Sequence, residues 1–216
     1  MTPMHMKEPV NAWTHFVTFV ATVVATPILI VLARKSVGGM LVVAVFGLSM
    51  IVLYGASTLY HWIITTPKKQ LILRRLDHGS INFLIAGSAT PVFYYGLEGT
   101  WRIAMLSTIW ILALLTTVFQ VWFIKAPRWL QTGLYLLLGW TAAIPFPQLL
   151  RNLPRAASIL ICVGGLSYTV GAIIYATKKM NFFPGKFGFH EVFHLFISTG
   201  TAIHFAAVIL CVRLLG

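Results

Sequence analysis

Two histidines four residues apart, His190 and His194, stand in the stretch FGFHEVFHLF with Glu191 between them. On a helix that spacing puts both rings on one face about a turn apart, the way paired imidazoles grip a metal ion. The H-E-x-x-H spelling is also that of zinc metalloproteases, in which the glutamate activates water. Ser57 and His61 repeat the four-residue spacing. Glu8, Asn11 and His15 would make one stripe if a helix reaches back to Glu8. Asp77 and His78 are adjacent. These groups hold three of the four acidic residues and five of the seven histidines.

The elements that position them are set by composition. The chain has 216 residues, of which 58% are hydrophobic and only 9% charged. A soluble domain carries about a quarter charged residues, so most of this exterior must face lipid. The chain reads as an integral membrane protein. Its 16 basic residues against 4 acidic ones give +12, but they sit in short gaps between apolar runs. That pattern predicts membrane topology and contact with anionic lipids, and no nucleic-acid partner. Cys162 and Cys211 lie in apolar segments and form no ligand pair, so they read as packing residues. No cleavable signal peptide is expected, because the first apolar run is long and leads into a multi-span pattern.

Seven runs approach the roughly 20 residues that a membrane-crossing helix needs. They lie at about 13–33, 41–63, 79–97, 103–124, 129–149, 156–177 and 190–212. The expectation is an all-α, polytopic seven-helix bundle forming a single domain over 1–216. Pro27, Pro91, Pro145 and Pro147 fall inside spans and should kink them without ending them. Pro184 lies among the breakers of the last loop. Ten of the 16 basic residues fall on the side of the N-terminus, which predicts a cytoplasmic N-terminus and an external C-terminus. The acidic and histidine cluster then shares the cytoplasmic face, where ionisable groups near hydrocarbon usually mark function. His61, His190 and His194, at one depth on two helices, could make an open tetrahedral zinc site.

Each residue also has a plainer reading. His61 could snorkel toward water, Asp77 could cap the third span, and Ser57 could bond its own backbone. His78 could face solvent, and His5 reads as a loop residue. His204, about 15 Å deeper than His194, is too deep for the metal and should bond within the bundle.

The same residues carry a family likeness. Glu8-Pro-Val-Asn11-Ala-Trp-Thr-His15, then Ser57-Thr-Leu-Tyr-His61 with Asp77, then His190-Glu-Val-Phe-His194 occur in order. In this the chain resembles the bacterial hemolysin III proteins, within the progestin and adiponectin receptor family. The resemblance implies a seven-helix bundle with zinc held by His61, His190 and His194. It also implies that Asp77 holds or polarises a water at the zinc, with Ser57 close by. Glu8, Asn11, His15 and Glu191 would then stand around the ligands. The family is grouped with alkaline ceramidases as lipid amide hydrolases, and bacterial members are linked to lipid homeostasis and, by name, to hemolysis. The long N-terminal domain of the animal receptors is absent, so a hormone-receptor role is not expected.

The leading expectation is a zinc-dependent hydrolase of lipid amide or ester bonds in the cytoplasmic membrane, with Asp77 and Ser57 as its catalytic residues and membrane lipids as its partners. A non-enzymatic sensor with structural zinc, a lytic pore and an intramembrane metalloprotease are the alternatives. The protease is disfavoured because Asp77 precedes the histidine motif and His61 supplies a third ligand.

Overall fold

The computed structural model describes residues 6–183 and 185–216, so His5 and Pro184 lie outside the described residues. Eight α-helices follow in order: α1 (Pro9–Leu32), α2 (Val37–Trp62), α3 (Pro67–Gly96), α4 (Gly99–Trp122), α5 (Arg128–Trp140), α6 (Phe146–Asn152), α7 (Arg155–Thr177) and α8 (Phe189–Leu215). A short 3-10 turn, Thr141–Ala143, follows α5. The described residues form no strand beyond one isolated bridge, Phe183 to Phe187. The all-α expectation holds.

Helix starts follow local chemistry. Proline opens α1 and α3, where its missing N–H would have no partner anyway. Ser36 caps α2 by accepting from the Gly39 N–H at 3.2 Å. α3 begins at Pro67 rather than near 79. Its first turns hold Lys68, Lys69, Arg74 and Arg75, which read as loop charges in sequence but are good helix formers. Asp77 therefore lies about three turns inside the helix, and the reading of Asp77 as a cap is wrong. Thr66 holds the capping position.

Among the described residues five helices, α1, α2, α4, α7 and α8, are long and apolar enough to cross a membrane. The fifth expected span is not continuous. Residues Arg128–Ala143 and Phe146–Asn152 meet at a bend of 52°, and count as a sixth crossing only if taken together. Pro145 and Pro147 break this segment, whereas Pro27 and Pro91 sit inside unbroken helices. The long α3 is too polar to join that group. It buries Asp77, Ser80, Asn82, Ser88 and Thr90 against its neighbours.

Packing runs in sequence order from α1 to α4, and α8 closes back onto α7 and α1. Small residues allow close approach: Gly47 lies under Thr26, and Gly87 under Ser49. One core gathers Phe46, Met50, Tyr54, Leu84, Phe193 and Val208; a second gathers Phe93, Leu97, Ile109, Leu138 and Leu149. Val17, Val24, Leu41, Ile103, Leu115 and Val163 point outward and are exposed, as lipid-facing side chains should be.

Candidate metal centre and cavity

The chain leading into α1 is bound to the end of α2. Carbonyls in the last turn of a helix lack intrahelical donors. Here the Lys7 N–H donates to the Trp62 carbonyl at 3.4 Å and the Glu8 N–H to the His61 carbonyl at 3.0 Å. This brings the Glu8 carboxylate to the His61 ring, with Oε2 2.7 Å from Nδ1. A carboxylate only accepts, so Nδ1 carries the proton and the lone pair of a neutral ring sits on Nε2. That Nε2 is buried and has no hydrogen-bond partner.

Asn11 spends both amide protons on carboxylates: Glu8 Oε2 at 3.0 Å and Glu191 Oε1 at 2.8 Å. Glu191 Oε2 accepts from the Gly188 N–H at 2.8 Å, which caps the start of α8. The expected stripe of Glu8, Asn11 and His15 is therefore real, and it joins α1 to α2 and α8. Burial works to raise the Glu8 pKa. The bonds from His61 and Asn11 and the positive charge of Lys7 outweigh it, and hold the carboxyl well below the usual carboxylate range.

The three expected ligands come together. One ligand atom from each of His61, His190 and His194 lies within 4.8 Å of the others. The ring centroids of His61 and His194, and of His190 and His194, are both 4.8 Å apart. His194 Nδ1 is buried without a partner, like His61 Nε2. A buried polar atom left unpaired costs about 1–3 kcal/mol, and a cation between these rings would remove that cost. The donor set fits a metal ion of the zinc type, which takes neutral imidazoles. His15 stacks on His194 with centroids 3.7 Å apart, and its Nδ1 lies 2.7 Å from Ser57 Oγ.

Asp77 is 7% exposed, and its Oδ2 lies 3.3 Å from His78 Nδ1. Asp77, Ser57, His15, His190 and His194 all line one cavity of ≈ 420 Å³, which runs on between α3, α5, α7 and α8. Away from these residues its wall is mostly apolar, with Leu84, Val92, Ile109, Leu149 and Ile161 among the lining. His204 also reaches this wall; its Nε2 bonds the Ile161 carbonyl at 3.2 Å, within the bundle as expected.

Sequence reasoning missed three features. Tyr135 and Tyr175 line the cavity, and the Tyr175 ring lies 5.4 Å from that of His190. No motif marks either tyrosine. Glu191 is committed to a helix cap and to Asn11 rather than turned toward water between the histidines, which the H-E-x-x-H spelling could not reveal.

The chain matches the haemolysin-III-related family over residues 4–205. It belongs to that family. It is similar to the hemolysin-3 homolog of Bacillus subtilis (strain 168), with 36% identity over 96% of this chain and 95% of that one. It is also similar to hemolysin-3 of Bacillus cereus, 35% identical over 97% of this chain and 93% of that protein. The adiponectin receptor protein of Drosophila melanogaster is 28% identical over 93% of this chain, which spans 50% of that longer protein. The chain is a multi-pass membrane protein of the haemolysin-III-related family.

Proposed function

We propose that this haemolysin-III-related protein is a zinc-dependent hydrolase of amide or ester bonds in membrane lipids. It would sit in the cytoplasmic membrane with its N-terminus and its histidine cluster on the cytoplasmic side. The observation that carries the reading is the join between two unlike environments. A cluster of histidines and a buried carboxylate line one part of a cavity whose remaining wall is mostly apolar, as an acyl chain requires. Lipid tails need an apolar slot and a scissile carbonyl needs polar groups, and the two meet in this cavity.

His61, His190 and His194 would hold the zinc, with Glu8 fixing the His61 tautomer and Asn11 fixing Glu8. A bound zinc ion supplies Lewis acidity that polarises a carbonyl and makes water a better nucleophile near neutral pH. Asp77 accepts the proton of the attacking water and returns it to the leaving amine or alcohol. Ser57, oriented by His15 at 2.7 Å, offers its hydroxyl to the substrate oxygen. The apolar wall keeps bulk water from the tail side.

A sensor with structural zinc is favoured by one observation, the Glu8–Asn11–Glu191 network that ties three helices around the site. A pore fits less well, since a water-filled path needs polar lining along its length. The test is incubation of zinc-loaded protein with a panel of ceramides, N-acyl amides and glycerolipids, reading released fatty acid. Release by the wild type, together with its loss in Asp77→Asn at full zinc content, supports the hydrolase. No release across the panel moves the assignment to the sensor.

A further inference from the structure

Cations that the chemistry above does not use lie close in sequence to residues at the cavity's polar end. On α3, Arg74 precedes Asp77 and His78 by one turn, and both of these line the cavity. On α5, Arg128 precedes Gln131 and Tyr135 by one and two turns, and both line it too. On α7, Tyr175 lines the cavity and is followed by Lys178 and Lys179. Helices α3 and α5 start at this end of the bundle, so Arg74 and Arg128 lie one turn outward of lining residues, and Lys178 and Lys179 follow the end of α7 at Thr177.

Arg128 is the best fixed of them. Its guanidinium carbon sits 4.7 Å from the centre of the Tyr175 ring and 4.8 Å from that of Phe189, and one N–H donates to the Tyr175 carbonyl at 3.4 Å. Phe189 directly precedes His190, so this arginine stands one ring away from the histidine cluster. Arg74 lies on the first turns of α3, one turn before the cavity-lining Asp77. Among the described residues no carboxylate forms a salt bridge with Arg74, Arg128, Lys178 or Lys179; those that occur join Glu8 to Lys7, His61 and His190, and Asp77 to His78. A stacked guanidinium keeps most of its five N–H donors free and presents them as a rigid fork that matches a phosphate.

We propose that Arg128 and Arg74 bind the phosphate of an anionic lipid whose tail occupies the cavity, so that the substrate class is lipids with a phosphate beside the scissile carbonyl. The choice of substrate rests on the hydrolase reading; the binding itself does not. The lipid seats its head at the two arginines, its carbonyl at the histidines and its chain against the apolar wall.

The test is displacement of a fluorescent fatty alcohol, a neutral probe, from full-length protein in non-ionic detergent. Lysophosphatidic acid and the monoacylglycerol of the same chain length compete for it. Wild type should prefer the phosphate-bearing lipid by about tenfold or more, the lower range for hydrogen bonds to a charged group. Arg128→Gln should lose most of this preference, Arg128→Lys should keep part of it, and Arg128→Gln with Arg74→Gln should reach parity. Affinity for the monoacylglycerol should not change, which shows that the variants are folded. Millimolar inorganic phosphate should leave the probe in place. Equal affinity in wild type, preference retained in the double variant, or displacement by phosphate alone would each overturn the proposal. Because displacement needs no turnover, an inactive protein that keeps the preference would sink the hydrolase and spare the phosphate site.

Discussion

Filling the cavity from its wall is the sharpest probe of the acyl-chain reading. Cys162, Gly165, Thr169 and Ala172 all line the cavity at helical spacing on α7, so they form one inward stripe. A Cβ added at Gly165 meets no atom within 4 Å. Gly165→Leu should therefore insert without clash, and it replaces a poor helix former, worth about 0.8 kcal/mol in favour of folding. Gly165 lies about 15 Å from Tyr175 along the helix at 1.5 Å per residue, well away from the histidines. A short chain should never reach the new side chain, and a long one must stop against it. Each methylene taken from water into an apolar site is worth about 0.8 kcal/mol, or about fourfold in kcat/KM. Leucine occupies the space of about four such carbons, so the longest water-soluble substrates should lose about 3 kcal/mol, on the order of 10²-fold. The assay is kcat/KM across a homologous series of N-acyl amides, with thermal stability measured alongside. Gly139→Leu, on α5 and equally open, should act the same way. Equal loss at every chain length would mean a damaged site. No loss at the longest chain would mean that the cavity does not hold the tail.

Three further outcomes concern the histidine cluster, and a fourth concerns orientation. Elemental analysis should find one zinc per chain, with His61→Ala, His190→Ala and His194→Ala each emptying the site; retention in His61→Ala would contradict the ligand set. Glu8→Gln leaves a weaker partner for His61 Nδ1 and should weaken zinc affinity by about 10–100-fold, measured by chelator competition. Asp77→Asn should keep its metal and lose about 10²–10⁴ of turnover, while loss of metal instead would assign Asp77 to holding it. A C-terminal alkaline phosphatase fusion should be active and a C-terminal fluorescent fusion dark, and the reverse pattern would invert the orientation argued from the basic residues.

Helix existence was legible because a chain this apolar has few other ways to satisfy its backbone in lipid. Two boundaries were not. The basic run before Asp77 looks like a loop by charge, yet lysine and arginine carry helices well, and Pro67 opened one. Pro145 and Pro147 lie two residues apart, and together they break what one alone would have kinked. The histidines were legible from depth and spacing, because polar residues are rare enough in this chain to be noticed. The cavity was not. Leu84, Ile109 or Leu149 facing a cavity cannot be told in sequence from Val17 or Leu115 facing lipid, since both surroundings are apolar. The direction of Glu191 was equally hidden, because a motif gives spacing but not the rotamer chosen by neighbours on other helices.

The Asn11–Glu191 bond joins residues separated by 180 positions. A ribosome adding about 5–20 residues per second needs roughly 10–40 s to cover that interval. During that time α1 is already made, and Glu8, Asn11 and His15 have no counterpart on α8. Their place at the start of the first helix makes the wait tolerable, because water at the bilayer surface can stand in for the missing partners. The histidine cluster is thus among the last parts of the molecule to be completed during synthesis. A chain stalled before α8 would lack His190, Glu191 and His194, and would hold only His61 of the three clustered histidines.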